Sequence, residues 1–138
     1  MRSTPSSSPS PNPWLGLEIT AKILTENPSW VFVFGDNTLR RGLGGAAKLR
    51  YHPQSYGFIT KKYPTYNDDA FYNLEDYPKV FEEEMNKLLK RIDSNPKHLF
   101  LISKLGAGLA NRHSIFEKII EPNIRKYLIQ ENIRFLWE

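Results

Sequence analysis

Short apolar runs and amphipathic segments alternate along the chain. Two of the runs, Trp30–Phe34 and His98–Ile102, are almost continuously apolar, which is typical of strands buried on both faces of a sheet. The same pattern predicts two further strands, over Tyr56–Thr60 and Ile133–Trp137. Because Trp30–Phe34 is apolar throughout, we expect it in the interior of the sheet.

Segments with helical spacing separate these strands. Apolar residues recur every three or four positions over Glu75–Ile92, which predicts an amphipathic helix. Three more helices are predicted, one within Trp14–Asn27, one beginning within Gly42–Tyr51, and one over Ser114–Gln130 that is interrupted at Pro122. The alternation predicts a three-layer α/β fold in which helices cover both faces of a mixed sheet.

Composition separates a leader from a single domain. Residues 1–13 contain five Ser and four Pro and almost no apolar side chain, so we expect a disordered leader that cannot offset the entropy of ordering. Residues 14–138 have the length of one domain. Hydrophobic residues make up 40% of the 138 positions, which is enough for a buried core.

The types of residue present exclude several kinds of chemistry. The chain has no Cys and only three scattered His, which excludes disulfides, a thiolate nucleophile and Cys-ligated zinc. We expect neither a metal site nor a cofactor. No apolar run approaches the roughly 20 residues of a membrane span, and the N-terminus lacks the apolar segment of a signal peptide. We therefore expect a cytoplasmic protein with no membrane partner.

The net charge of +4 is distributed unevenly. Asn37–Tyr66 contains no acidic residue and carries six basic ones: Arg40, Arg41, Lys48, Arg50, Lys61 and Lys62. A second acid-free stretch, Ser94–Phe116, carries Lys97, Lys104 and Arg112. Basic segments of this kind suit either nucleic acid or a phosphate-bearing small molecule, and the alternative is a solvated basic face.

Both buried strands lead into glycine-rich loops. Trp30–Phe34 is followed by GDNTLRRGLGGAAK, and His98–Ile102 is followed by SKLGAGLANRH. Ligands of open α/β sheets bind at the carboxyl ends of the strands, so we expect both loops to face one site. Glycines allow the backbone to approach a ligand closely, although each could instead serve a tight turn.

Two common phosphate-binding motifs do not explain these loops. Gly42–Ala47 satisfies G-x-G-x-x-A, but residues 35–41 separate it from the strand and no acidic residue follows at the distance that a dinucleotide fold requires. A P-loop is also excluded, because Gly-Lys-Ser/Thr does not occur.

Three motifs together resemble a known family. They are Gly42-Leu-Gly-Gly-Ala46, Ile59-Thr-Lys-Lys62 and Leu105-Gly-Ala-Gly-Leu109, and they occur in this order within residues 30–138. The set resembles the macrodomains that bind ADP-ribose, in particular the terminal ADP-ribose glycohydrolases, and it is also similar to a small family from phages and bacteria. The resemblance implies a macrodomain-like α/β/α fold that binds ADP-ribose or a related nucleotide metabolite. It further implies the hydrolysis of an ADP-ribosyl linkage on an ADP-ribosylated substrate.

The resemblance also assigns roles to residues. It makes Lys61 the candidate nucleophile toward the ribose C1″, which requires a neutral amine and therefore burial or neighbouring cations such as Lys48 and Lys62. Those enzymes carry an Asp where this chain has Ala110 and Asn111, so Asp36 becomes the candidate for proton transfer and the enzymatic step stays open. Ligand contacts are assigned to Asn37, Gly42, Gly44, Gly45, Gly106, Ala107, Gly108, Leu109 and Asn111.

A second class of function stays open beside this one. In a nucleic-acid-binding module, the six basic residues of Asn37–Tyr66 would contact phosphates. Binding of that kind weakens steeply with salt, because each phosphate contact releases counterions.

Overall fold

Four strands form the centre of the molecule. The computed structural model describes residues 14–137, so the predicted leader and the final residue lie outside the described part of the chain. The strands are Trp30–Asn37 (β1), Ser55–Lys61 (β2), Leu99–Ile102 (β3) and Ile133–Phe135 (β4). Their order in the sheet is β2-β1-β3-β4, which confirms the interior position predicted for the first apolar run.

All three strand pairs are parallel, so the predicted mixed sheet is wrong. Each pair of consecutive strands is joined by a long connection that contains helical turns. A connection of this kind returns the chain to the end of the sheet where the previous strand began, and the next strand then runs in the same direction. The result is an α/β fold around a four-stranded parallel sheet.

Three α-helices accompany the sheet. They are Ala21–Glu26 (α1), Tyr77–Ser94 (α2) and Glu121–Tyr127 (α3). The helix predicted to begin within Gly42–Tyr51 is only a 3-10 helix, Gly45–Leu49, and a second 3-10 turn covers Asp68–Ala70. The helix predicted over Ser114–Gln130 is shorter and starts with a π-helical turn, Phe116–Ile120, that ends just before Pro122. Proline has no amide hydrogen to donate to the preceding turn, which accounts for the irregularity.

Apolar side chains pack on both faces of the sheet. Alternation along β1 places Val31 and Val33 in one cluster, with α2, the π-helical turn and α3. Phe32 and Phe34 lie in the other cluster, with α1 and the 3-10 helix that follows β1. Helices on both faces were predicted, and this packing confirms them. None of the helices in the described part of the chain has the length and apolarity that a membrane span requires.

Helix α2 fixes the outer strand β2 through two buried side chains. The Ile59 amide donates a hydrogen bond to Glu84 Oε1 at 2.7 Å, and the Tyr77 hydroxyl donates to the Ile59 carbonyl at 2.7 Å. Burial, followed by the charge of Glu84, raises the pKa of Tyr77 well above its ordinary value, so this hydroxyl remains a donor. The carboxyl end of β2 is thereby held in place, directly before Thr60 and Lys61.

Glu84→Ala is expected to lower the free energy of unfolding by about 1–3 kcal/mol, because it leaves the Ile59 amide without an acceptor. Glu84→Gln keeps an acceptor oxygen and is expected to lose less. Urea denaturation measures both. Lys87→Ala is the control, since it removes only the exposed partner that lies 3.4 Å from Glu84 Oε2, and we expect a change within about 0.5 kcal/mol. Equal losses for Glu84→Ala and Lys87→Ala would contradict this account of β2.

Candidate functional site

A cavity of about 460 Å³ opens at the carboxyl ends of β1, β2 and β3. In the strand order, β2 lies beside β1 at one edge of the sheet, and β4 lies beside β3 at the opposite edge. The chain therefore leaves β1 and β3 toward opposite edges. The loops that follow β1 and β3 therefore diverge, and parallel α/β sheets bind their ligands at such a point. The volume lies within the range of roughly 300–1,000 Å³ that is usual for small-molecule sites.

The structure brings most of the predicted site residues to this cavity. Those that line it are Asp36, Asn37, Gly42, Gly44, Gly45, Lys61, Gly106, Gly108 and Leu109. Ala107 and Asn111 are not among the lining residues. The lining also includes residues that the resemblance did not assign as ligand contacts, among them Thr60, Pro64, Tyr66, Ser103 and Lys104. Their roles toward a ligand stay predictions, but the two glycine loops do face one space.

Lys61 is a nearly buried cation, with only 9% of its surface exposed. Its Nζ lies 5.0 Å from the centre of the Tyr66 ring and 4.8 Å from that of Phe71. Within residues 14–137, no carboxylate forms an ion pair with it. Burial, followed by the positive charge of Arg112, lowers the pKa of Lys61. The neighbouring cation is therefore Arg112, where the sequence suggested Lys48 or Lys62.

Asp36 is almost fully buried and is paired with two arginines. Its Oδ2 lies 2.9 Å from Arg40 Nη1, and its Oδ1 lies 2.6 Å from Arg50 Nη1. The Asn37 amide also donates to Oδ1, at 2.8 Å. Gly57 makes room for this group, because a Cβ at that position would overlap Asp36 Oδ2. With both oxygens occupied, the carboxylate serves to hold the arginines in place.

Arg50 joins the end of β1 to the first glycine loop. Besides the ion pair with Asp36, its Nε donates to the Gly42 carbonyl at 2.9 Å and its Nη2 donates to the Arg41 carbonyl at 2.8 Å. Only 7% of the side chain is exposed. Sequence reasoning treated Arg50 as a possible phosphate contact and missed this internal role. No local signal could have revealed it, since the partners share no periodicity with Arg50.

Two predicted ligand-binding amides are engaged within their own loops. Asn37 donates from Nδ2 to the Arg41 carbonyl at 2.8 Å and accepts from the Leu39 amide at 3.0 Å. Asn111 accepts from the Phe116 amide at 3.0 Å and donates to Glu117 Oε1 at 2.9 Å. Asn37 therefore shapes the loop after β1, and Asn111 anchors the start of the π-helical turn.

Two glycines of the first loop have different reasons to lack a side chain. Gly45 has a φ of +56°, a conformation that other residues rarely adopt. Gly44 has an ordinary extended backbone with a φ of −78°, and a Cβ added to it would meet no atom within 4 Å. A side chain at Gly44 would therefore project into open space beside the cavity without straining the protein.

The charged groups that line the cavity are mostly cationic. Arg41, Arg50, Lys61 and Lys104 contribute positive charges, while the single carboxylate in the lining, Asp36, is already paired with two arginines. The surroundings therefore favour an anion. Residues 14–137 contain no group of three or more His, Cys, Asp or Glu side chains placed to hold a metal ion.

Comparison with known proteins places the chain in a family. Neither a curated protein nor a solved structure matches it. No match assigns it to the macrodomains, so that likeness stays a resemblance. Residues 16–130, which are most of the chain, match a family of unknown function, DUF7831. The chain is therefore a member of the DUF7831 family.

Proposed function

We propose that the cavity binds ADP-ribose or a related nucleotide metabolite through its phosphates. The observation that carries the proposal is the charge of the lining. Several cations surround the space, Lys61 has no carboxylate partner within residues 14–137, and Asp36 is paired with two arginines. An anionic ligand supplies the negative charge that the protein does not provide at Lys61.

The two glycine loops support a diphosphate ligand in particular. The motifs that resemble the macrodomains, Gly42–Ala46 and Leu105–Leu109, both contribute to the walls of the cavity. They follow neighbouring strands, β1 and β3, and a ligand lying between them would meet backbone from two sides. Gly44 and Gly108 leave open space where a side chain would stand, which suits the close approach of phosphate or ribose to the backbone.

Gly44→Val is expected to abolish the binding of ADP-ribose that calorimetry detects, because a branched side chain would enter the space proposed for the ribose or phosphate. The free energy of unfolding is expected to stay within about 0.5 kcal/mol of wild type, since a Cβ at this position meets no neighbour. Gly44→Ala is a graded comparison that adds one methyl group. Unchanged affinity in a folded Gly44→Val variant would remove the first loop from the site.

A second candidate function, hydrolysis of an ADP-ribosyl linkage, is favoured by the state of Lys61. Its burial and lowered pKa raise the fraction of neutral amine, which is the form that attacks carbon. Nζ would bond to the ribose C1″ while the bond from C1″ to the acceptor breaks, and one amine proton would pass to the departing acceptor. The second amine proton would pass to the ring oxygen as the ring opens to an imine. Water would then add to C1″ and release Nζ and ADP-ribose.

Asp36 could act as the proton-transfer partner in this scheme only by giving up an arginine. Arg40 and Arg50 occupy its two oxygens. We therefore assign Asp36 the role of holding the loop, and we leave the proton transfers to Lys61 itself and water. Binding needs no such step, so it is the function that the geometry supports best.

The nucleic-acid alternative is tested in the same calorimetric series. Its six cations are divided in the structure. Arg40 and Arg50 bind Asp36, and Arg41 and Lys61 line the cavity. Lys48 lies 3.8 Å from Glu18, and Lys62 lies 5.4 Å from the Tyr72 ring centre. The test titrates the protein with ADP-ribose and with a short single strand of nucleic acid, each at low and at moderate salt. Tight binding of the strand that falls steeply with salt, without binding of ADP-ribose, would favour the alternative.

A further inference from the structure

We propose that Arg112 is a positioning residue that holds the Tyr66 and Phe71 rings around the amine of Lys61. Arg112 follows β3, whereas Tyr66 and Phe71 follow β2, so the residue connects two of the three segments that border the cavity. It does not itself line the cavity. Its effect on a ligand would therefore pass through the side chains that it holds.

Three contacts of the Arg112 guanidinium define this role. Nη1 forms an ion pair with Asp68, Nη2 donates a hydrogen bond to the Tyr66 carbonyl at 3.3 Å, and the group lies 4.2 Å from the centre of the Phe71 ring. Lys61 Nζ also lies against Phe71, at 4.8 Å from the ring centre. Phe71 is thus a shared partner of both cations, and Tyr66 is held by its backbone where its ring meets Lys61.

The segment that Arg112 holds has few other attachments. A hydrogen bond from the Lys62 amide to the Ala70 carbonyl, 2.8 Å long, closes its base. The residues between, 63–69, are all exposed, and Tyr66 as a whole remains 68% exposed although it lines the cavity. Asp68 is almost fully exposed, so its ion pair with Arg112 adds little to global stability. Loss of the Arg112 contacts should therefore release this segment without unfolding the protein.

The positive charge of Arg112 and its contacts with the wall of the cavity both affect the pKa of Lys61. Arg112 is the cation that lowers the pKa of Lys61, while Arg41, Arg50 and Lys104 line the same cavity and Asp36 is paired with Arg40 and Arg50. Removing Arg112 takes away a neighbouring positive charge and opens the wall of the cavity to water. Both changes favour the protonated form of Lys61, so its pKa is expected to rise.

The inference concerns the site of the proposed function, but its test needs no nucleotide. Full-length protein is labelled with a trace of acetic anhydride across a pH series, and the acetylation rate of each lysine is measured by peptide mass spectrometry. The exposed Lys79 is the internal reference. The acetylation rate of a lysine rises with pH to a plateau as its amine loses a proton. In wild type, we expect the plateau rate of Lys61 to be several-fold below that of Lys79. We also expect the Lys61 rate to reach half of its plateau at a lower pH.

Arg112→Gln is expected to raise the plateau ratio of Lys61 to Lys79 by at least about threefold and to move the Lys61 midpoint to higher pH. Asp68→Asn keeps the guanidinium charge, and it is expected to raise the ratio with a smaller shift in midpoint. Arg125→Gln is the matched control, because Arg125 also contacts rings, Phe135 and Trp137, and donates to the Trp137 carbonyl at 3.2 Å. It should leave Lys61 unchanged.

An unchanged plateau ratio in both Arg112→Gln and Asp68→Asn would overturn the inference. So would a rise of equal size in Arg125→Gln, because the effect would then be a general loosening. If Arg112→Gln fails to fold, Asp68→Asn decides alone, since it alters only an exposed side chain. Calorimetry with ADP-ribose on the wild-type protein tests the proposed ligand, and the acetylation experiment tests the role of Arg112. Because the two measurements are independent, failure of one proposal is distinguishable from failure of the other.

Discussion

Asp36→Ala is expected to lower the free energy of unfolding by about 3–5 kcal/mol, as measured by urea denaturation. The reason is the charge that it leaves behind. The Arg50 side chain is only 7% exposed, and Asp36 is the carboxylate that pairs with it. Removing one partner of a buried ion pair costs more than the pair itself contributes, because the remaining charge has no compensation.

Two further variants separate this role from others. Asp68→Asn removes a carboxylate from an exposed ion pair, and it is expected to leave stability within experimental error. Arg50→Lys keeps the positive charge but loses the planar fork that reaches Asp36 and the carbonyls of Arg41 and Gly42 together. It should therefore destabilise the protein measurably. A loss below about 1 kcal/mol for Asp36→Ala would show that Asp36 does not organise this loop.

Lys61→Ala is expected to reduce turnover of an ADP-ribosylated substrate by at least roughly a hundredfold if the amine attacks C1″. Borohydride treatment during turnover should then trap an adduct on wild type, and intact-mass analysis should find none on the variant. Lys62→Ala is the matched control, since Lys62 is the adjacent lysine and lies against a different ring, that of Tyr72. It should keep both activity and adduct.

A different result is expected if Lys61 only neutralises a phosphate. Its loss should then weaken binding of ADP-ribose by about 1–2 kcal/mol, the scale of one charge-assisted contact, with no adduct in either protein. Absence of an adduct on wild type, together with absence of product from ADP-ribosyl esters, would make this protein a binder.

The pH dependence separates the two roles by sign. Burial and Arg112 lower the pKa of Lys61 from the ordinary lysine value of 10.5. Attack needs the neutral amine, so adduct formation should rise with pH and reach half its maximum below 10.5. Phosphate binding needs the protonated form, so that contribution should be complete at low pH and be lost as pH rises through the same lowered pKa.

The strands could be predicted because burial on both faces leaves a continuous apolar run. Their direction could not, since it depends on where each connection returns the chain. The end of β1 was also hidden: the strand continues beyond Phe34 through Asn37, with a register shift between Asp36 and Asn37. Asp36 and Asn37 pair with β2 through their backbone while their side chains bind the loop. Hydrophobic periodicity does not identify such polar residues as part of a strand.

The location of the site was predictable from the types of residue that follow the buried strands. Glycines that follow buried strands indicate a place where backbone meets a ligand, and both loops do border one cavity. The contacts of Asp36 were not predictable. The turn after a strand commonly contains Asp, and nothing local indicates that Arg50 returns across the loop to reach it. The sequence identified Arg112 only as a basic residue of Ser94–Phe116, and its contacts were not predictable because its partners follow a different strand.

Gly57 has a consequence for how this protein can change over generations. A side chain at position 57 would collide with Asp36 and with Arg40 as long as their ion pair is present. The same substitution should be better tolerated in a background where small residues have already replaced both Asp36 and Arg40, because Asp36 Oδ2 and Arg40 Nη1 then no longer occupy the space. The effect of a mutation at position 57 thus depends on the order in which mutations accumulate. This dependence on the order of mutations restricts the evolutionary routes open to the loop, although Gly57 has no side chain of its own with which to contact a ligand.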